Sequence, residues 1–351
     1  MIDPKDFVTY LKTQGLEYFT GVPDSILKNF INELPETHLK ANEGSAIAAA
    51  IGYHLATKNI ATVYMQNSGL GNAINPLATM ALVYKIPVLL FIGWRGEDKD
   101  EPQHEVMGKA SAKMLEAIGI EHEVLSIEEN KSKSQIVNAY NRMHNQQSPY
   151  AFLVRKNTFK STQQISNIQG THQRSSVIKE LISNLKPGDK IFATAGYTGR
   201  ELYALAKKMQ KLEHIFLGTG AMGHISQLAL EFALNSGKNT YCLDGDGSAI
   251  MHLGNLQEMS QKAPKNLKYI VFNNSSHQSV GLNESLWKPG EISRALKSFG
   301  AEPVDALDKL IQSKSFSVWE AICGQEVMDS LPRPEENPID LKKLFLNDKI
   351  K

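Results

Sequence analysis

The chain has little cysteine, almost no net charge and no long apolar run, and each scarcity excludes something. Two cysteines in 351 residues, Cys242 and Cys323, cannot make a disulfide framework, and neither belongs to a metal-type spacing. Cys242 sits in the apolar run Tyr241-Cys242-Leu243, the setting of a small buried hydrophobe. A net charge of +1, with no clustered basic face, speaks against nucleic acid as a partner. The longest apolar stretch, Ile86-Pro87-Val88-Leu89-Leu90-Phe91-Ile92, falls well short of the ~20 residues of a membrane span. The start, Met1-Ile2-Asp3-Pro4-Lys5, lacks the basic-then-apolar layout of a signal peptide. The expectation is a protein of the reducing cytoplasm with no membrane partner.

What is present is an alternation of short apolar runs with amphipathic stretches. Strands are expected at 18–21, 38–41, 61–65, 88–92 and 151–154, with helices at 25–34, 44–56 and 74–84 between them. Polar sequence from Asn157 to about Ser175, including Lys160-Ser161-Thr162-Gln163-Gln164, reads as a linker. The alternation then restarts, with strands at 190–194, 240–243 and 269–272 and helices at 199–210, 225–234 and 251–262. The tail from Leu331 reads as extended chain closing on a short helix. Continuous apolar strands separated by helices indicate parallel sheets covered on both faces. The architecture predicted is α/β, two doubly wound parallel-sheet domains at 1–165 and 175–351.

Two polar clusters stand out, Leu243-Asp244-Gly245-Asp246-Gly247-Ser248 and, one helix later, Asn273-Asn274 after an apolar strand. The carboxyl ends of parallel strands share an edge, so Asp246 and Asn274 meet there despite the helix between them. A carboxylate and an amide oxygen suit magnesium, which completes its octahedron with phosphate oxygens and water. Gly245 and Gly247 let the backbone pass close to a phosphate. Either cluster alone reads as an ordinary turn; the two at this spacing favour a site.

Gly245-Asp246-Gly247 leading to Asn273-Asn274 resembles the diphosphate-binding motif of thiamine-diphosphate enzymes. The resemblance implies magnesium bound by Asp246, Asn274 and the carbonyl of Ser276, with Ser248 beside the cofactor. Leu217-Gly218-Thr219-Gly220-Ala221-Met222-Gly223 is similar to the turn that cradles the cofactor's middle. Gly218 and Gly220 then approach it and Met222 holds it bent, although a core methionine is the alternative. Glu43, in Asn42-Glu43-Gly44-Ser45-Ala46, follows a short strand and opens an alanine-rich helix. Its place matches the glutamate that activates the cofactor from the pyrimidine-binding domain. The alternative is a glutamate that merely complements the helix dipole.

The similarity extends to the phosphonopyruvate decarboxylase family. It is carried by Gly21-Val22-Pro23-Asp24-Ser25, Tyr64-Met65-Gln66-Asn67-Ser68-Gly69-Leu70-Gly71-Asn72, Gly93-Trp94-Arg95-Gly96-Glu97 and Asp100-Glu101-Pro102-Gln103-His104. Leu153-Val154-Arg155-Lys156 and the run Gly196-Tyr197-Thr198-Gly199-Arg200-Glu201 belong to it too, so the resemblance spans about 7–304. Ala221 and Gly281-Leu282-Asn283 depart from the family's pattern. Sulfopyruvate decarboxylases share several motifs, and there the two halves are often separate subunits, so a single chain leans toward phosphonopyruvate.

The resemblance implies decarboxylation of 3-phosphonopyruvate to 2-phosphonoacetaldehyde in phosphonate biosynthesis, through a C2 carbanion and an enamine. It also implies a homo-oligomer, a dimer or larger, with the active site between subunits. Arg95, Lys109 and Arg200 are candidate seats for the small anionic keto acid, or else solvated surface charges. His104 is a candidate proton shuttle or a loop histidine. Asp24 and Ser25 are candidates for catalysis and substrate contact or else helix caps. Asn67 and Asn72 contact substrate or cofactor or are turn residues. A carboligating synthase and a non-catalytic binding protein on the same fold are the competing readings.

Overall fold

Two sheets of six strands organise the chain, and every strand pairing within them is parallel. The computed structural model describes residues 1–35, 38–162, 168, 170–329 and 331–347. The first sheet comprises β1 Phe19–Gly21, β2 His38–Leu39, β3 Ala61–Gln66, β4 Val88–Gly93, β5 Glu121–Val124 and β6 Tyr150–Val154. They lie in the order β2-β1-β3-β4-β6-β5. The second comprises β7 Lys190–Thr194, β8 Ile215–Gly218, β9 Thr240–Gly245, β10 Leu267–Asn273, β11 Glu302–Val304 and β12 Ser317–Ile322. Their order is β11-β12-β10-β9-β7-β8. The chain divides into two compact units, Met1–Ile165 with Ser279–Asn283, and Ser166–Gln278 with Glu284–Lys351.

The central strands are apolar throughout because both faces are covered. On the first sheet, Tyr64, Leu89, Phe91 and Phe152 pack into one buried cluster and Val63, Met65, Leu90, Ile92 and Leu153 into another. The second sheet divides likewise, with Leu243, Ile270 and Phe272 on one side and Cys242, Tyr269 and Val271 on the other. Cys242 and Cys323 are both buried and free, as the sequence suggested for Cys242. Strand order reverses between β1 and β3 and between β7 and β9, and the carboxyl edge at such a reversal is the usual ligand position in these sheets.

Several elements differ from expectation. The helix expected over 25–34 contracts to Lys28–Ile31, with turns on either side. The one expected over 74–84 starts early, at Leu70–Pro76, and continues as π-helix over Leu77–Ala81. Pro76 has no N–H to donate, and beyond it the chain opens so that Leu82 N donates to Leu77 O at 2.9 Å. Much of the expected linker is structured: Phe159 is buried and bridged to Ile2, and a helix begins at Arg174. Residues 163–167 and 169 of that stretch lie outside the described residues. The tail does close on a helix, Pro338–Leu346.

Candidate active site

In the first unit, the candidate residues collect at the carboxyl edge of β2, β1, β3 and β4. Glu43 opens the helix Glu43–Thr57 directly after β2, with Asn42 as its cap: the Asn42 Oδ1 accepts from Ser45 N at 2.9 Å. Glu43 is 3% exposed, and Asn72 Nδ2 donates to its Oε2 at 2.8 Å. Burial raises its carboxyl above the ordinary 4.5, opposed by the Asn72 hydrogen bond. A Cβ on Gly69 would overlap Glu43 Oε1, so Gly69 makes the space the carboxyl occupies.

Asp24 is fully buried and accepts from Ile26 N (2.9 Å), Leu27 N (3.0 Å) and Gln66 Nε2 (2.9 Å). These bonds brace the turn between β1 and the helix Lys28–Ile31, whose own N-cap is Leu27, and burial raises the Asp24 pKa against them. Asn67 is also fully buried. Its amide donates to Arg95 O (2.8 Å) and Ser111 Oγ (3.1 Å) and accepts from Arg95 N (3.1 Å), a brace across the ends of β3 and β4. Arg95 is held at two points by Asp100, with Nε–Oδ2 and Nη2–Oδ1 both 2.6 Å. That pairing raises the guanidinium and lowers the Asp100 carboxyl. Arg95 Nη1 also reaches Ser25 Oγ at 3.3 Å. His104 lies buried in the first turn of the helix Pro102–Ala117, its Nε2 3.7 Å from Glu101 Oε2. Lys109 is exposed on the same helix.

In the second unit, the ends of β8, β7, β9 and β10 carry the other group of candidates. Asp246 begins a short helix after β9 and is 4% exposed; its Oδ2 is buried with no hydrogen-bond partner. Burial pushes its carboxyl up to about 7. The groups that oppose this include the Gly247 and Ser276 backbones and the Ser285 hydroxyl, so the loop after β10 lies beside Asp246. Asn274 and Ser276 are buried in that loop; Asn274 Oδ1 accepts from Ser276 N at 3.1 Å. An orphaned carboxylate oxygen beside a loop that carries Asn274 and Ser276 is a donor set of the oxygen type that fits magnesium.

Ser248 Oγ takes hydrogen bonds from Thr194 Oγ1 and Gly223 N, both at 3.0 Å, and so pins the glycine turn after β8. Gly220 and Gly223 both have φ of 83°, which an L side chain resists. Gly218 is tight as well, since a Cβ there would lie 2.7 Å from Ile225 Cδ1. Gly245 is open, but a Cβ on Gly247 would lie 2.7 Å from the His277 ring. Met222 is half-buried on the turn and belongs to neither core of this unit, against the core alternative. Arg200 Nη2 donates to Leu331 O at 2.5 Å and so is tied to the chain's tail segment.

Sequence reading missed the partners: Gly69 under Glu43, Gln66 on Asp24, Asp100 on Arg95 and Ser111 on Asn67. All but Ser111 lie inside the family-like motifs, but nothing in their spacing says which side chain each one meets.

Residues 5–115 match the family described as thiamine pyrophosphate enzyme, N-terminal TPP binding domain, and residues 195–312 its C-terminal TPP binding domain. The chain belongs to the thiamine pyrophosphate enzymes. It is similar to the phosphonopyruvate decarboxylase of Streptomyces viridochromogenes, 27% identical over 98% of this chain and 94% of the relative. The phosphonopyruvate decarboxylase of Streptomyces hygroscopicus is 28% identical over 88% of this chain and 82% of the relative. The sulfopyruvate decarboxylase of Methanosarcina acetivorans is 26% identical over 81% and 79%. Within the family, the chain's class is that of the thiamine-diphosphate-dependent carboxy-lyases. Fusion of the two halves does not separate the substrates, because the Methanosarcina relative also aligns across both.

Proposed function

We propose that the protein decarboxylates 3-phosphonopyruvate to 2-phosphonoacetaldehyde and carbon dioxide, a step of phosphonate biosynthesis, using thiamine diphosphate held through Mg2+. The observation that carries this reading is the buried Glu43 carboxyl, raised in pKa at the carboxyl edge of the first sheet, with no cation among the described residues contributing to that shift. Bound thiamine diphosphate supplies the sink for the electron pair released when the C1–C2 bond of the keto acid breaks.

Glu43 would hold and exchange a proton at N1′ of the cofactor's aminopyrimidine, a task suited to a carboxyl in a dry pocket. Asp246, Asn274 and the Ser276 carbonyl would ligate Mg2+, the ion's charge returning Asp246 to its ionised form. Gly218, Gly220, Gly245, Gly247, Ser248 and Met222 would line the cofactor. Asp24 and His104 would serve proton movement at the substrate. Ser25, Arg95, Lys109 and Arg200 would seat the phosphonate; Arg95, already neutralised by Asp100, would do so as an oriented donor rather than a free charge. Sulfopyruvate is the second reading, favoured by the Methanosarcina relative.

Glu43→Gln tests the reading: turnover is expected to fall at least ~100-fold, the scale of a lost acid–base group, with the fold intact by circular dichroism. Retained activity would refute it. A homo-oligomer with the site between subunits is part of the proposal; sedimentation should find a dimer or larger, and a fully active monomer contradicts it.

A further inference from the structure

Sequence alone offers Asn72 as a substrate or cofactor contact or an ordinary turn residue; in the structure, its side chain serves Glu43. We propose that Asn72 is a positioning residue for Glu43: its amide grips one carboxylate oxygen, and Gly69 keeps open the space that the other occupies. The inference rests on the reading of Glu43 as the proton-handling carboxyl.

Three contacts build the arrangement. Asn72, on the helix Leu70–Pro76, donates from Nδ2 to Glu43 Oε2 at 2.8 Å. Glu43 Oε1 lies against Gly69, where any Cβ would overlap it. Gly44 lets the two helices close up: a Cβ there would sit 3.0 Å from the Asn72 carbonyl oxygen and 3.8 Å from Pro76 Cγ. The grip thus depends on two glycines that flank the pair.

The chemistry of the donor matters as much as its place. The helix Glu43–Thr57 packs against β1, β3, β4, Leu70–Pro76 and Leu77–Ala81. None of these carries a charged residue, and Tyr64 is their one titratable side chain. Among the described residues, no charged group contributes to the shift at Glu43, and Asn72 is the side chain that offsets burial. A lysine or arginine in its place would fix Glu43 as an anion; an apolar residue would leave it protonated. A neutral amide, together with the backbone N–H of Glu43 itself, holds the carboxyl between those limits.

The test is a carboxyl titration of Glu43 by NMR in the full-length cofactor-free chain carrying 13C-labelled glutamate, with Glu43→Gln identifying the signal. Asn72→Leu should raise the midpoint by about one unit, a tenfold gain in proton affinity. Asn72→Asp preserves the shape but sets a second carboxyl against the first, so it should raise the midpoint further. It also carries the test if the leucine variant fails to fold. In the loaded enzyme, the acid limb of the pH–rate profile should move up with the midpoint and kcat should fall, while KM for the keto acid stays within about twofold. An unmoved midpoint in both variants overturns the proposal, as does a rise confined to KM, which would make Asn72 a substrate contact. A midpoint that moves while the pH–rate profile does not overturns instead the reading of Glu43 on which the proposal stands.

Discussion

Glu43 illustrates how a single buried acid links stability to pH. Burial raises its folded pKa above the ordinary 4.5, so the folded chain holds this proton more tightly than the unfolded chain. The associated stability is fully present below the unfolded value and lost as pH rises through the raised folded value. Glu43→Gln is neutral at every pH. Its Tm should match wild type near about pH 4, exceed it increasingly as pH rises toward the raised folded pKa, and hold a constant lead above that pKa, measured by thermal unfolding across pH. A Tm difference independent of pH would contradict the burial argument. At this scale, the sequence picks out candidate residues more readily than the contacts they make. Glu43 was legible because it is the lone carboxylate at the start of an alanine-rich helix. The roles of Asn67 and Arg95 were not, because their partners Ser111 and Asp100 are set by how the helix Pro102–Ala117 and its preceding loop pack.

Among the elements, most central strands are readable because they are apolar on both faces, whereas of the four edge strands only β2 was expected. β5 alternates Glu121, His122 and Glu123, and β11 contains Pro303; charge and proline suit an edge and disguise a strand. β12 was missed although central, since Ser317 and Glu320 interrupt its apolar run; Glu320 is buried and accepts from Asn273 Nδ2, Gly290 N and Ser293 N. The tail helix Pro338–Leu346 is fixed by Phe345, whose ring lies 5.4, 5.6 and 5.5 Å from those of Phe192, Phe216 and Phe232. Lys190 Nζ sits 4.4 Å from that ring's centre, donates to Glu213 O at 2.6 Å, and also bonds Phe345 O. Phe345→Ala should therefore cost about 3–5 kcal/mol in urea unfolding of the second unit. A loss below about 0.5 kcal/mol, the level of a surface change, would mean the helix is not docked as described.

For the whole molecule, two parallel-sheet units each place a set of candidate side chains at a carboxyl edge, and the acid–base and metal-binding candidates are divided between them. Among the described residues, no helix is long and apolar enough to cross a membrane. The class of chemistry was legible in the sequence because it depends on a few short motifs after strands. Substrate choice was less so: it turns on cations whose availability depends on partners, and Arg95 and Arg200 prove to be engaged by Asp100 and Leu331. The most direct measurement is carbon dioxide release from phosphonopyruvate, sulfopyruvate and pyruvate in parallel, with and without thiamine diphosphate and Mg2+. The account expects turnover of phosphonopyruvate well above the other two, lost when either cofactor is omitted. Preference for sulfopyruvate would overturn the substrate and keep the chemistry; no release from any of the three would contradict the account.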